Sequence, residues 1–226
     1  MERICDILLA GLALIILSPL VLPVIIVLRI TGEGEVFFLQ ERVGKDFKTF
    51  KLYKFATMLK ESPNLASGTI TIKDDPRVLP IGKILRKIKI NELPQLVNVV
   101  LGDMSLIGPR PLTEQTFKSY AQKTQNVTTK VKPGLSGLGS IIFRSEESIL
   151  HDGNDSVQFY DDTIAPYKGA VEEWFVYNKS LYYYFLIIFI TIWVVLFPES
   201  KIVWRTFKNM PVPPEQLKSA LNYCEY

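Results

Sequence analysis

Ile90-Asn91-Glu92-Leu93-Pro94-Gln95-Leu96-Val97-Asn98-Val99-Val100-Leu101-Gly102-Asp103-Met104-Ser105-Leu106-Ile107-Gly108-Pro109-Arg110-Pro111 is the stretch on which the reading of this chain turns. Its first half predicts a helix. Asn91 is a good N-cap, Glu92 suits the positive end of the helix dipole, and Pro94 is tolerated in the first turn. Leu93, Leu96, Val97 and Val100 fall on one face at helical spacing. Gly102 supplies the C-terminal stop. The second half is stiff. Arg110 lies between Pro109 and Pro111. Both prolines fix their own φ, and Pro111 drives Arg110 toward extended backbone. A guanidinium held this way is set to fork onto a phosphate or carboxylate.

Lys83, Arg86, Lys87 and Lys89 lie just upstream. A carboxylate at a helix start is thus bracketed by cations on both sides. That pattern points to an anionic, phosphate-bearing substrate with a metal ion. Taken singly, each feature has an ordinary explanation: a cap, a dipole partner, a solvated basic face. Gly-Pro-Arg-Pro is harder to explain that way, because so rigid a run is poor filler for a loop.

The chain has 226 residues, enough for one domain with a real core plus membrane segments. Hydrophobic residues make up 48%, and they concentrate near the two ends. The net charge of +3, from 26 basic and 23 acidic residues, is too even to argue for nucleic acid. It suits an anionic membrane surface. Cys5 and Cys224 imply no disulfide framework, and a reducing compartment is the default. His151 is the sole histidine, so neither a zinc site nor a Ser-His triad can be assembled.

Ile7 to Leu28 carries no charge over 22 residues. As a helix it would run about 33 Å, enough to span a bilayer. A signal peptide fits less well, since no small-residue cleavage site follows cleanly. Ser18-Pro19 interrupts the run, Pro23 follows, and Arg3 and Arg29 flank it. A spanning helix and a hairpin returning to one face both fit, and the hairpin satisfies both arginines. Val36–Gln40 and Phe47–Tyr53 predict two short strands around a Gly44-Lys45-Asp46 turn. Lys60 to Asp75 reads as a polar loop. Ile81, Ile84, Leu85 and Ile88 give a short amphipathic helix. Thr113 caps a polar helix to about Gln125, and Lys130–Ser140 reads as a glycine-rich loop. Residues 156–178 look helical, interrupted near Pro166. Leu181 to Phe197 is uncharged for 17 residues, at the short limit for spanning, and rich in interfacial aromatics. A second spanning helix and a surface helix both fit it. Ser200–Asn209 predicts an interfacial helix, and the tail from Pro211 reads as loosely held.

The central stretch closely resembles the motif of the bacterial sugar transferases, the monotopic phosphoglycosyl transferases. Their pattern is an Asp-Glu pair, then Leu-Pro-Gln, Asn-Val, Gly-Asp-Met-Ser and Gly-Pro-Arg-Pro. All but the first aspartate is present here, in order and tightly spaced. The family's Gln-x-Arg-x-Gly and Tyr-Lys-Phe-basic-Thr-Met are matched by Gln40, Arg42, Gly44, Tyr53, Lys54, Phe55, Thr57 and Met58. Ala56 stands where a base is usual. Asn91 stands at the family's catalytic aspartate, and Glu92 keeps the partner glutamate. After Gly137 the family continues Trp-Ala-Gln. This chain instead has Leu138-Gly139-Ser140 and then Arg144-Ser145-Glu146-Glu147, a difference of substrate pocket or subgroup.

The resemblance covers roughly residues 1–200. It implies a mostly helical α+β fold with four parts. These are a re-entrant membrane helix over 1–30, broken at Ser18-Pro19, and a cytoplasmic phosphoglycosyl transferase domain over 31–180 with a small β-hairpin. Membrane-associated interfacial helices over 181–210 and a tail over 211–226 complete it. The implied place is the cytoplasmic face of the bacterial inner membrane. The implied reaction moves a phosphosugar from a UDP-sugar to a polyprenol phosphate, releasing UMP, at the start of surface glycan assembly. Mg2+ is the implied cofactor. Asn91 and Glu92 take the catalytic and metal positions. Lys54, Arg86, Pro109, Arg110, Pro111 and Arg144 take the phosphate or nucleotide positions. Ser18, Pro19 and Asp103 take structural or membrane roles. Expected partners are the two substrates and inner-membrane lipids, without nucleic acid, and the apolar segments also fit a homodimer.

An amide is a poor nucleophile and lacks the charge that draws magnesium. Three readings of position 91 stay open. Glu92 takes over as nucleophile or base. The chain binds substrate or recruits other glycan enzymes as a pseudoenzyme. Or Asn91 replaces an aspartate in a prepared variant.

Overall fold

The structure is a computed structural model that describes residues 1–31, 33–62, 71, 74–150 and 155–225. It begins with α1 (Glu2–Ile30), continuous across Ser18, Pro19 and Pro23. The predicted interruption at Ser18-Pro19 does not appear. Pro19 cannot donate to the carbonyl of Ile15, and the Ser18 hydroxyl donates to that oxygen instead, at 2.8 Å. The lost bond is replaced within the same turn.

One face of α1 follows the domain along its whole length. Ala10 packs with Leu52, Leu96, Val99 and Met104, and Val24 and Leu28 pack with Phe55 and Leu85. The opposite face exposes Ile4, Leu8, Leu12, Ile15, Ile16, Leu22 and Ile26. Among the described residues, α1 is the one helix long and apolar enough to cross a membrane.

The hairpin forms as expected, extended slightly. Strands β1 (Phe37–Val43) and β2 (Thr49–Phe55) pair antiparallel, with Phe37 opposite Phe55 and Val43 opposite Thr49. A 3-10 turn over Lys45–Phe47 joins them. Leu52 and Phe55 are each 1% exposed. Burial on that scale stabilises by about 1.5–3 kcal/mol per side chain, which holds the hairpin to α1 and α3. The predicted loop over Lys60–Asp75 lies largely outside the described residues. After it comes α2 (Pro80–Lys87), whose Leu85 is buried while Ile84 and Ile88 are exposed.

The central stretch corrects two expectations. The helix does not begin at Asn91. A 3-10 turn over Ile90–Glu92 comes first, and α3 runs Gln95–Leu101. Pro94 has no N–H to offer the Ile90 carbonyl, so Leu93 donates to it at 3.0 Å and the turn tightens. The buried face of α3 is Gln95, Leu96, Asn98 and Val99, while Val97 is exposed. The predicted stop holds, since Gly102 caps α3 at φ 99°.

Strand β3 (Ser105–Ile107) then pairs in parallel with β4 (Gly134–Ser136), placed within the expected glycine-rich loop. The glycines serve close approach rather than mobility. A Cβ on Gly134 would stand 2.1 Å from the Gly108 nitrogen, and one on Gly108 would stand 2.5 Å from the Lys132 carbonyl. Helix α6 (Leu138–Ile142) follows at once. The single helix expected after Thr113 is two, α4 (Glu114–Lys118) and α5 (Gln122–Thr128), because the chain turns between them to bury Tyr120. Thr113 caps α4 as expected.

Helix α7 (Asp155–Phe159) passes through a π-helical turn over Tyr160–Ile164 into α8 (Ala165–Asn178). This is the interruption expected near Pro166. Helix α9 (Leu181–Leu196) buries Tyr184, Ile187, Ile190 and Val194 and exposes Tyr182, Phe185, Phe189 and Ile192. It is a half-buried helix on the domain, not a free-standing span. Helix α10 (Ile202–Thr206) turns Val203 and Trp204 into the core, so the predicted interfacial helix has no apolar face left for lipid. The tail is docked rather than loose. In α11 (Glu215–Lys218) Leu217 is fully buried, and the Tyr223 ring meets Trp204 edge-on at 5.1 Å.

Candidate active site

The site is a cleft of about 670 Å³. Its polar lining includes Gln40, Arg42, Lys54, Arg86, Lys89, Asn91, Glu92, Arg110, Arg144 and Lys168. Its apolar lining includes Leu9 and Ala13 of α1, Leu135, and Ile188, Ile192 and Val195 of α9.

The 3-10 turn places Glu92 on the cleft wall. Lys89, just before it, adopts φ 60°, a left-handed conformation that reverses the chain after α2. Glu92 Oε1 lies 3.3 Å from Arg110 Nη2. Burial pushes the Glu92 carboxyl up, but Arg110, Lys54 and Lys89 outweigh it and hold it at about 2. Arg110 in turn is raised by Glu92. Burial lowers Lys54 to about 7, with Arg42 adding to the effect. Burial and Arg110 together lower Arg42 to about 9. Asn91 is buried, and its Oδ1 has no hydrogen-bond partner among the described residues.

The stiffness of Gly-Pro-Arg-Pro comes from both sides. Arg42 Nη1 donates to the Pro111 carbonyl at 3.2 Å, and Gly134 N donates to the Pro109 carbonyl at 2.8 Å. Pro109 and Pro111 therefore hold Arg110 without lining the cleft themselves. Arg144 reaches the cleft while donating to the Val194 carbonyl of α9. Six expected site residues, Lys54, Arg86, Asn91, Glu92, Arg110 and Arg144, thus meet in one cavity. Ser18 and Pro19 lie in α1 and outside that lining. Asp103 also lies outside it, receiving the Asn98 amide at 3.3 Å.

Several residues that line or brace the site are given no role by a reading of the sequence. Asn98, fully buried, accepts from Tyr53 N at 3.0 Å and donates to the Lys51 carbonyl at 2.8 Å, fixing the strand that carries Lys54 to α3. Asp6 of α1 accepts from Ser105 Oγ, Leu106 N and Tyr184 Oη at 2.8–3.0 Å, locking α1 to β3 and α9. Lys168 and Glu172 of α8 are each 1% exposed. Lys168 pairs with Glu146 at 2.7 Å, and Glu172 Oε1 accepts the Arg110 backbone N–H at 3.1 Å. A signal for these two exists: they fall on the apolar stripe of Ala165, Val171 and Phe175, where a charge is out of place.

The model of the family described as bacterial sugar transferase matches residues 1–198 of this chain. The chain belongs to the bacterial sugar transferase family. Relatives include the exopolysaccharide production protein ExoY of Sinorhizobium fredii, 36% identical over 161 residues, which cover 65% of this chain and 71% of that protein. A UDP-N-acetylgalactosamine-undecaprenyl-phosphate N-acetylgalactosaminephosphotransferase of Aeromonas hydrophila is 35% identical over 86% of this chain. The UDP-glucose:undecaprenyl-phosphate glucose-1-phosphate transferase of Escherichia coli is 36% identical over 70% of it. This family member spans 43% and 35% of the length of those last two relatives. With α1 as the one membrane-length helix among the described residues, the sugar transferase is a monotopic inner-membrane protein with its helical domain facing the cytoplasm.

Among the described residues no three His, Cys, Asp or Glu side chains cluster as a metal cage. Mg2+ does not need one, because it is commonly held by one or two carboxylates together with substrate phosphates. The Glu92 carboxylate and the unpartnered Asn91 Oδ1 fit that half-site as oxygen donors.

Proposed function

We propose that the chain transfers a phosphosugar from a UDP-sugar to a polyprenol phosphate, yielding a polyprenol diphosphosugar and UMP. The observation that carries this reading is a single cleft lined by both cationic and apolar side chains. Glu92 and Arg110 meet at 3.3 Å in it, and residues of α1 and α9 supply apolar wall. The cations suit a diphosphate and a lipid-borne phosphate, and the apolar side chains suit the lipid chain. The reactions named for the Aeromonas hydrophila and Escherichia coli relatives support the assignment. Both ends of α1 rest on the domain, through Arg3 on the Val99 and Val100 carbonyls and through Leu28 beside Phe55. That supports a helix held against the domain on one side of the membrane.

In this reading, Arg110, Lys54, Arg42 and Arg86 neutralise and align the diphosphate. Glu92 and Asn91 would hold Mg2+, which supplies further charge neutralisation when bound. Asn91 leaves the site without the family's attacking aspartate. A phosphate of the lipid is already ionised and needs no base. Its oxygen attacks the sugar-bearing phosphorus, the bond to the UMP oxygen breaks, and UMP departs with the electron pair. Glu92, ionised and held by Arg110, serves as an oxygen donor and spacer more readily than as a base. The second reading, a binding protein without turnover, is favoured only by Asn91 itself.

The test is UMP release by membrane-reconstituted protein with Mg2+, a polyprenol phosphate and a panel of UDP-sugars. Release by the chain, lost in Glu92→Gln, is expected. Release by Asn91→Asp alone would make the chain a binding protein.

A further inference from the structure

The cleft carries its own acidic groups, and they are not equivalent. Glu146 Oε2 pairs with Lys168, whose side chain is 2% exposed. Removing Glu146 from Lys168 would strand a buried cation, so that pair is fixed. Glu147 is different. Its Oε1 lies 2.5 Å from Arg86 Nη2, and its side chain is 48% exposed while Arg86 is 19% exposed. It belongs to a 3-10 turn over Glu146–Ser148. Swinging Glu147 into solvent costs little, because its carboxylate is already half hydrated.

We propose that Glu147 is an exchangeable counter-ion, an internal competitor that occupies Arg86 until a diphosphate displaces it. The inference rests on the reading of the cleft as a phosphate site. A carboxylate and a phosphate oxygen make the same charge-assisted bond to a guanidinium, so only one of them holds that edge of Arg86 at a time. Arg86 and Arg110 both line the cleft, and a diphosphate carries more anionic oxygens than one carboxylate, so it displaces Glu147 from Arg86.

The experiment is calorimetric titration of the full chain in lipid nanodiscs with inorganic pyrophosphate, comparing the chain with Glu147→Gln, Arg86→Met, the double variant and Arg110→Met. Glu147→Gln is expected to tighten binding by about three- to fivefold, the span of a partly exposed ion pair. Arg86→Met is expected to weaken it about tenfold and to abolish the effect of Glu147→Gln. If Arg86→Met weakens binding but Glu147→Gln leaves it unchanged or weaker, the counter-ion role is overturned. If pyrophosphate binding ignores both Arg86→Met and Arg110→Met, the phosphate reading of the cleft falls with it.

Discussion

Glu172 Oε1 accepts the backbone N–H of Arg110 at 3.1 Å, from a side chain that is 1% exposed. The cation that faces Glu92 is therefore held from behind by a buried acid. A Cβ on Gly139 would stand 2.3 Å from the same oxygen, so the acid is boxed in. Its other oxygen has no hydrogen-bond partner among the described residues.

Burial raises the Glu172 carboxyl to about 7, against the pull of Arg110 and Lys168. The native state thus keeps a proton that the unfolded chain releases near 4.5. Its stabilising contribution is full below that value and is lost as pH rises through 7. Thermal unfolding of the chain and of Glu172→Gln should diverge over this window. The glutamine variant should gain on the order of 3 kcal/mol relative to the chain between pH 4.5 and 8. Parallel curves would show that Glu172 is ionised when folded.

Lys54 has no ion-pair partner among the described residues, and burial lowers it to about 7. An anion bound beside it favours its charged form, so binding takes up a proton. Affinity for pyrophosphate should therefore fall as pH rises from 6 to 9, by up to about tenfold. Lys54→Met should bind more weakly at pH 6 and lose that part of the pH dependence. Titrations at several pH values, with both proteins against the same ligand, cancel the ligand's own ionisation.

Asp6 ties three elements together through one carboxylate. Asp6→Ala leaves the Leu106 N–H and two hydroxyls without that acceptor and should cost roughly 2–4 kcal/mol. Tyr184→Phe removes a single bond and should cost about 1 kcal/mol. Denaturant unfolding in detergent would rank them, and a larger loss for Tyr184→Phe would contradict this assignment.

Much of the fold was legible because local chemistry decided it. The hairpin announced itself by Gly44-Lys45-Asp46, the end of α3 by Gly102, and the α4 cap by Thr113. Lys54, Glu92 and Arg110 were legible through their motifs and Arg86 through the cations just upstream, and the fold brings the four to one cleft. What the sequence hid was long-range. Nothing near Asp6 says that Ser105 and Tyr184 will meet it, 99 and 178 residues away. Ser200–Asn209 has the amphipathic pattern of a surface helix, and periodicity alone does not tell a protein core from a lipid as the partner of Val203 and Trp204. At Lys130–Ser140, glycines that permit backbone contact look the same in sequence as glycines that permit motion.

Helix α1 is packed on the domain from Arg3 to Leu28, and two of its side chains, Leu9 and Ala13, form part of the cleft wall. Anchor and active site are thus one piece of architecture. A water-soluble version made by deleting the first 30 residues would not be the same catalyst set free. It would be a cleft with one side missing, and Leu52, Phe55 and Val99 would face solvent where a helix had been.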